Sequence, residues 1–215
     1  DEISFEEMLE LAASGAGVLM SRSVEFGRRY GVPIHVRSSF TDNPGTWVKE
    51  VTMEQAIISG VTHDRSQAKV TVRHVPDRPG VAAALFTPLA EQEVNVDMIV
   101  QNVSRDGHTD ISFTVPRESA DAALAVAEKV AAELEAGATD VDQHVAKVSL
   151  VGAGMKSHPG VAATVFSALA EAGVNVEMIS TSTIRISCVV KEDQVEDAVR
   201  VLHSAFDLAA EGVAK

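Results

Sequence analysis

The strongest constraint on this chain is that it repeats itself. Residues 68–103 (AKVTVRHVPDRPGVAAALFTPLAEQEVNVDMIVQNV) return at 146–183 as AKVSLVGAGMKSHPGVAATVFSALAEAGVNVEMISTST. The run PGVAA occurs at Pro79–Ala83 and Pro159–Ala163, and Phe86 matches Phe166. Leu89-Ala90-Glu91 matches Leu169-Ala170-Glu171, and Val94-Asn95-Val96 matches Val174-Asn175-Val176. The period is 78 from Ala68 to Ala146 but 80 from Pro79 to Pro159, so the second copy has a loop two residues longer. Such a period exceeds the roughly 20–50 residues of solenoid repeats and suits a duplicated small domain.

Both copies predict the same elements. Val70 and Val72, like Val148 and Leu150, alternate with polar residues and open each copy with a strand. A Pro-Gly loop then starts an apolar helix near 80–91 and 160–172. Val94, Val96, Met98 and Val100 alternate as a second strand, as do Val174, Val176 and Met178. Ile111, Phe113 and Val115 give a third strand, matched by Ile186, Cys188 and Val190. A second helix follows each, with Leu124, Ala127, Ala131 and Leu134 on one face of the first. Val195, Ala198, Val199, Leu202 and Phe206 share a face of the other, and Ser119 and Asp193 are candidate N-caps. Residues 138–144 supply a fourth strand to copy one. The expected class is α+β: two ferredoxin-like βαββαβ units, each an antiparallel sheet with both helices on one face.

Copy two ends soon after Phe206 without its last strand, whereas Ala56–His63 has strand character and belongs to no repeat. The expectation is that this segment completes the second unit's sheet, with the first unit inserted into it. The resulting division is 1–50, a linker and strand at 51–67, unit one at 68–145 and unit two at 146–215. In the first 50 residues, Ser4 and Glu7 form a capping box for a helix through about Ser14. A second helix near Ser23–Tyr30 stops at Gly31, Ile34–Val36 is a short strand, and Thr41–Gly45 is a turn cluster. This piece looks too small to bury a core and reads as the edge of another domain.

Charge and motifs narrow the function. A formal charge of −13 disfavours sequence-independent nucleic-acid binding, which needs basic side chains against phosphate. No apolar run approaches the ~18 residues of a membrane span, and a single cysteine, Cys188, fits a reducing, cytoplasmic setting. Because the chain opens on Asp1, a processed chain or a piece of a longer one is expected. There is no G-x-x-x-x-G-K-[ST] loop, no G-x-S-x-G elbow and no H-E-x-x-H. The seven histidines show no metal-ligand spacing, so neither a metal nor a catalytic residue is expected. Cys188 reads as a small buried hydrophobe, and Glu192, Asp193 and Glu196 as a helix start with its solvated face.

The two loops Asp77-Arg78-Pro79-Gly80 and Lys156-Ser157-His158-Pro159-Gly160 leave two readings open. Each is a tight turn, with Asp77 capping its helix and His158 a polar loop residue. Alternatively, each helix N-terminus holds a carboxylate through backbone N–H groups while Asp77 accepts an ammonium, which fits the two ends of an amino-acid zwitterion.

The βαββαβ unit with D-R-P-G after strand one and V-N-V-D-M at strand two resembles an ACT domain, a small-molecule sensing module. The tandem pair is similar to aspartate kinase. Val145–Met155 followed by K-S-H-P-G-V, Asn175–Ser182, and Ile184-Arg185-Ile186-Ser187 resemble that family's second ACT unit. Met98–Ser104 and Thr109-Asp110-Ile111 resemble its first. EEMLELAASGAGVL and Arg29–Phe40 resemble the C-terminal edge of its α/β amino-acid-kinase domain. The style is closest to the lysine- and threonine-inhibited enzymes of the actinobacterial kind. The family's K-F-G-G-[ST]-S and T-D-V-D-G-V-Y-x-x-D-P-R segments have no counterpart, and Gly17 stands where the family usually has Lys.

The resemblance implies the regulatory portion of an enzyme that phosphorylates the side-chain carboxylate of L-aspartate. ATP and Mg2+ would serve only the complete kinase, and this chain alone would be inactive. It also implies lysine or threonine as effectors, homodimers through the ACT units and a hetero-oligomer with a catalytic chain. The implied effector residues in unit one are Asp77, Arg78, Pro79, Gly80, Val81, Ala82, Asn95, Val96, Asp97 and Gln101. Those in unit two are Met155, Ser157, His158, Pro159, Gly160, Val161, Asn175, Val176, Glu177, Ser180 and Thr181. Asn95 and Asn175 equally suit a turn at the strand entrance. A dimerisation scaffold that binds no amino acid is the alternative.

Overall fold

The computed structural model describes residues 2–51, 58–102, 106–156 and 158–208, with Lys156 described in its backbone only. The chain forms two compact units. One comprises residues 1–64, 147–190 and 194–215, and the other residues 65–146 and 191–193.

The chain begins with β1 (Glu2–Ser4), α1 (Phe5–Ala13), α2 (Ser21–Tyr30), β2 (Ile34–Val36) and β3 (Thr46–Lys49). The three strands make a small sheet in the order β1-β3-β2, with β1 parallel and β2 antiparallel to β3. The capping box is present: the Ser4 hydroxyl accepts from the Glu7 N–H, and the Glu7 side chain accepts from the Ser4 N–H. Gly31 ends α2 at φ +63°, the left-handed geometry glycine tolerates best. Contrary to expectation, this segment does bury a core. Ile3, Phe5, Met8, Val24 and Val48 are inside, with Leu9, Leu11 and Ile34 packed around them. Glu7 is also only 4% exposed. Its carboxylate accepts from the hydroxyls of Ser4 (2.6 Å) and Ser59 and from the Ala153 N–H (3.0 Å). Burial alone would raise its pKa, but these hydrogen bonds outweigh burial and hold the carboxyl below its ordinary 4.5.

Next come β4 (Gly60–Asp64), β5 (Gln67–Pro76), α3 (Val81–Glu91), β6 (Ile99–Gln101), β7 (His108–Pro116), α4 (Ala120–Glu133) and β8 (Thr139–Asp142). The last six form the first βαββαβ unit, with sheet order β6-β7-β5-β8. Val70, Val72, Ile111 and Phe113 pack beneath Leu85 and Leu89 of α3 and Val126, Ala127 and Val130 of α4. The second copy is β9 (Val145–Val151), α5 (Val161–Glu171), β10 (Met178–Thr181), β11 (Arg185–Lys191) and α6 (Val195–Ala205). Its sheet runs β10-β11-β9-β4, so β4 occupies the place that β8 fills in the first. β4 pairs antiparallel with β9 from Gly60↔Val151 to Asp64↔Lys147. Of the segment expected as this strand, residues 56 and 57 lie outside the described residues, and the ladder begins at Gly60.

Two local readings are corrected and a third is extended. The second strands do not begin at Val94 and Val174. After α3, Glu93 (φ +57°) turns the chain left-handed, its N–H donates to the Ala90 carbonyl, and the Val94 N–H donates to the Leu89 carbonyl. Gly173 (φ +70°), Ala170, Val174 and Leu169 repeat this Schellman closure after α5. The apolar alternation there records loop side chains folded onto the core, and the ladders start at Ile99 and Met178. Neither Ser119 nor Asp193 caps a helix through its side chain, because a 3-10 turn (Arg117–Ser119 and Glu192–Gln194) leads into each. Of the α4 face read as Leu124, Ala127, Ala131 and Leu134, Ala127 and Ala131 are in the core and Leu134 packs on it; Ala123, Val126 and Val130 complete the buried face, and Leu124 lies half-buried beside it.

Two outcomes are expected. Glu93→Gly relieves a left-handed non-glycine residue and stabilises the chain by about 1 kcal/mol, while Gly173→Ala costs about the same, read as chemical-denaturation midpoints. Glu7 has a lowered pKa, so its stabilising share is present above pH 4.5 and is lost as pH falls through the folded value. Glu7→Gln therefore lowers stability at pH 7 by about 1–3 kcal/mol and flattens the loss below pH 4.5, checked by urea titrations across that range.

Candidate functional site

Each repeat places a loop between its first strand and first helix, and each loop ends in a glycine. Gly80 (φ +95°) and Gly160 (φ +108°) are the N-cap residues of α3 and α5. Neither helix has a side-chain cap, so the first-turn N–H groups lack a side-chain acceptor. Asp77 therefore does not cap its helix. It is exposed, and its N–H donates to the Gly107 carbonyl at 2.8 Å. His158 is held differently: its N–H donates to the Gly154 carbonyl (3.1 Å), and its Nδ1 lies 3.0 Å from the same oxygen. A carbonyl only accepts, so Nδ1 carries a proton in this contact.

The second loop opens on a cavity of about 750 Å³ inside its own unit. His158, Pro159, Gly160, Val161 and Thr164 form one wall. Glu2, Thr46, Ser59, Gly60, His203, Phe206 and Asp207 contribute to the rest. The lining combines an uncapped helix start with two acidic residues, Asp207 and Glu2, the latter ion-paired with Lys49. Sequence reasoning missed Glu2, Thr46, Ser59, Gly60, His203 and Asp207, because they come from chain segments far from the loop. Only the His203–Phe206 pair, one turn apart at the end of α6, carried a local signal.

The other predicted residues are dispersed. Val81 (5% exposed) and Val161 (8%) are core side chains that bring only backbone to the helix start. Arg78, Pro79 and Ala82 are exposed on the first loop and helix. Asn95 and Asn175 are exposed at the strand entrance, with Val96 and Val176 half-buried beside them. The N–H groups of Asp97 and Glu177 donate to the Thr114 and Val189 carbonyls. Gln101 sits on β6 opposite Ile111, while Ser180 and Thr181 sit on β10 opposite Ser187 and Ile186. Met155 lies in a 3-10 turn, Ala153–Lys156, and Ser157 lies outside the described residues. Among the described residues that line the cavity, Met155, Asn175, Val176, Glu177, Ser180 and Thr181 do not appear. The histidines are not all scattered either: the fold gathers His74, Asp106 and His108 into one cluster.

Comparison with known proteins gives this duplicated geometry a family. The ACT domain family matches residues 70–130 and 148–206, one match per repeat. The aspartokinase of Mycolicibacterium smegmatis is 54% identical over 98% of this chain, which spans 52% of that protein. Two solved structures overlie 70% of this chain at TM-score 0.66 while being 99% covered themselves. They are the aspartokinase alpha and beta subunits (46% identical) and the ligand-free regulatory subunit of aspartate kinase from Thermus thermophilus (40%). The chain belongs to the ACT-bearing regulatory part of the aspartokinases. E. coli aspartokinase III in complex with lysine and aspartate, its T-state, is 27% identical over 96% of this chain and 46% of its own, at TM-score 0.72. The chain thus spans about half the length of the curated relatives it matches. No described helix of this aspartokinase regulatory chain is long and apolar enough to cross a membrane.

Cys188 takes no part in chemistry at these loops. It is 2% exposed on β11, and burial pushes its thiol up to about 11 from an ordinary 9.0. A raised folded value means its stabilising share is complete below pH 9 and is lost as pH rises towards 11. Cys188 is expected to resist alkylation by iodoacetamide at pH 8 until the chain unfolds, with mass spectrometry across a urea series as the check.

Proposed function

We propose that this chain senses amino-acid effectors, lysine or threonine, on behalf of an aspartate kinase that phosphorylates the side-chain carboxylate of L-aspartate from ATP. The observation that carries the reading is the pair of uncapped, glycine-started helices, one of them opening on a cavity whose lining includes carboxylates. The effector carboxylate meets the N–H groups at Gly80–Ala82 or Gly160–Val161, and an ammonium meets Asp77 in the first repeat or Asp207 in the second. Residues 51–145 carry 15 acidic against 7 basic side chains, which favours a cationic effector such as lysine at the first loop. The lysine complex of the E. coli relative supports the same choice.

The catalytic residues, ATP and Mg2+ belong in this reading to the rest of the kinase, and the chain alone transfers no phosphoryl group. Homodimers form through the outer strands β6 and β10, which end their sheets and expose the corresponding residues Ile99 (53%) and Ile179 (45%). A hetero-oligomer with a catalytic chain in the cytoplasm completes the assembly. Effector binding acts by favouring one arrangement of the assembly, and only to the extent that it binds that arrangement more tightly.

Calorimetric titration with lysine, threonine and methionine tests the reading. Lysine or threonine should bind and raise the melting temperature, and Asp77→Asn should weaken binding at the first loop by about tenfold, the loss of one rim ion pair. Dimers that give neither heat nor a thermal shift with either amino acid, singly or together, would leave the chain a dimerisation scaffold. Aspartyl phosphate formed by the purified chain would overturn the assignment of catalysis elsewhere.

A further inference from the structure

The cluster of His74, Asp106 and His108 is explained by neither the repeat nor the effector loops. β5 and β7 pair in register up to Val72↔Ile111, slip, and resume at Val75↔Thr109. Val72 (2% exposed) and Val75 (1%) both reach the core although three positions apart. An uninterrupted strand would send residue 74 inward with Val70 and Val72. The bulge turns it outward instead, and His74 pays with a left-handed φ of +50°. Its N–H is fixed by the Asp110 carboxylate at 2.8 Å. The redirected ring stacks on His108, with centroids 3.7 Å apart and planes within 7°.

We propose that His74, Asp106 and His108 form a binding site for a divalent transition-metal cation of the zinc type. Each residue offers one ligand atom, and these atoms all lie within 4.8 Å of one another. Two imidazoles and a carboxylate are a donor set suited to zinc and its neighbours rather than to magnesium or calcium. His108 is already oriented: its Nδ1 lies 3.3 Å from the Asp106 carbonyl, which can only accept, leaving the Nε2 lone pair for the ion. Its N–H donates to Asp106 Oδ1 at 3.4 Å, so the turn holds carboxylate and ring together. Residues 51–145, which include the cluster, carry 15 acidic against 7 basic side chains.

Tetrahedral zinc separates its ligand atoms by roughly 3.4 Å, given bonds near 2.1 Å. Lone pairs lie in the ring planes, so parallel stacked rings cannot both aim at one ion. Binding requires the rings to rotate out of their stack about a soft terminal torsion. The site stands at the first effector loop, since the Asp77 N–H bonds Gly107, between two of the ligands.

The test titrates the chelator-treated chain with zinc chloride, followed by calorimetry and by NMR of the imidazole ring protons. Wild type should bind one equivalent at this site with loss of the ring-current shifts of the stacked pair. Binding should weaken at least tenfold in His108→Ala and in His74→Asn, an exchange chosen because Asn tolerates left-handed φ. Asp106→Asn, at an exposed turn, provides a third variant if either histidine change lowers the melting temperature. Zinc affinity equal in wild type and in these variants, or ring shifts unmoved at saturation, would assign the ion to the chain's other histidines and overturn the proposal.

Discussion

The ladder between β4 and β9 is the interaction on which the arrangement of this chain depends. Five residue pairs, Gly60↔Val151 to Asp64↔Lys147, join a strand that precedes both repeats to the first strand of the second repeat. That pairing closes a long loop, and the cost of closure grows only slowly with loop length. The cost stays small because the excursion is itself a folded domain. Everything from Gln67 to Asp142 completes its own four-stranded sheet before the chain returns. Duplication therefore did not simply set two identical units in series. In the second copy β4, which precedes both repeats, takes the place that β8 fills in the first, and this joins the copy's sheet to the N-terminal segment.

Glu7 reinforces that fusion from within the same unit. It is at once the N3 residue of α1, the acceptor for Ser59 just ahead of β4, and the acceptor for Ala153 just after β9. One carboxylate thus satisfies polar groups at a helix start and at the end of the β4–β9 ladder where Gly60 pairs with Val151. A buried carboxylate is tolerable only when so fully hydrogen-bonded, and the downward displacement of its pKa records that balance. A second tie in the same unit is Arg185 of β11, 3.0 Å from Glu10 of α1.

Much of this was legible in the sequence because the repeat supplies an internal comparison. Helix limits came within a residue or two, for Pro-Gly fixes their starts in both copies. The capping box was readable because its spacing is local and its chemistry reciprocal. Strand two was misjudged because Val94 and Val96 alternate like a strand while answering to a Schellman turn whose left-handed residue is a glutamate in one copy. β1 and β3 escaped notice because three or four residues carry too little periodicity without a flanking signal such as the Pro33 that precedes β2. The cavity and the histidine cluster were invisible for a different reason. Both join residues distant in sequence, and the cluster depends on a bulge that inverts the expected facing of His74.

The two repeats share a backbone yet present different chemistry at the same loop, and the difference traces to small local departures. In copy two the loop after the strand is two residues longer and holds the four-residue 3-10 turn Ala153–Lys156, with His158 bonded to the Gly154 carbonyl. β4 and the N-terminal segment then supply further lining, so this loop faces a half-open cavity. In copy one the strand carries a bulge instead of an insertion, and the β6–β7 turn at 106–108 lies against the loop through the Asp77–Gly107 hydrogen bond. What surrounds that loop is exposed, acidic and rich in imidazole. Equal folds thus give unequal loop surroundings, set by a bulge in one copy and a longer loop in the other.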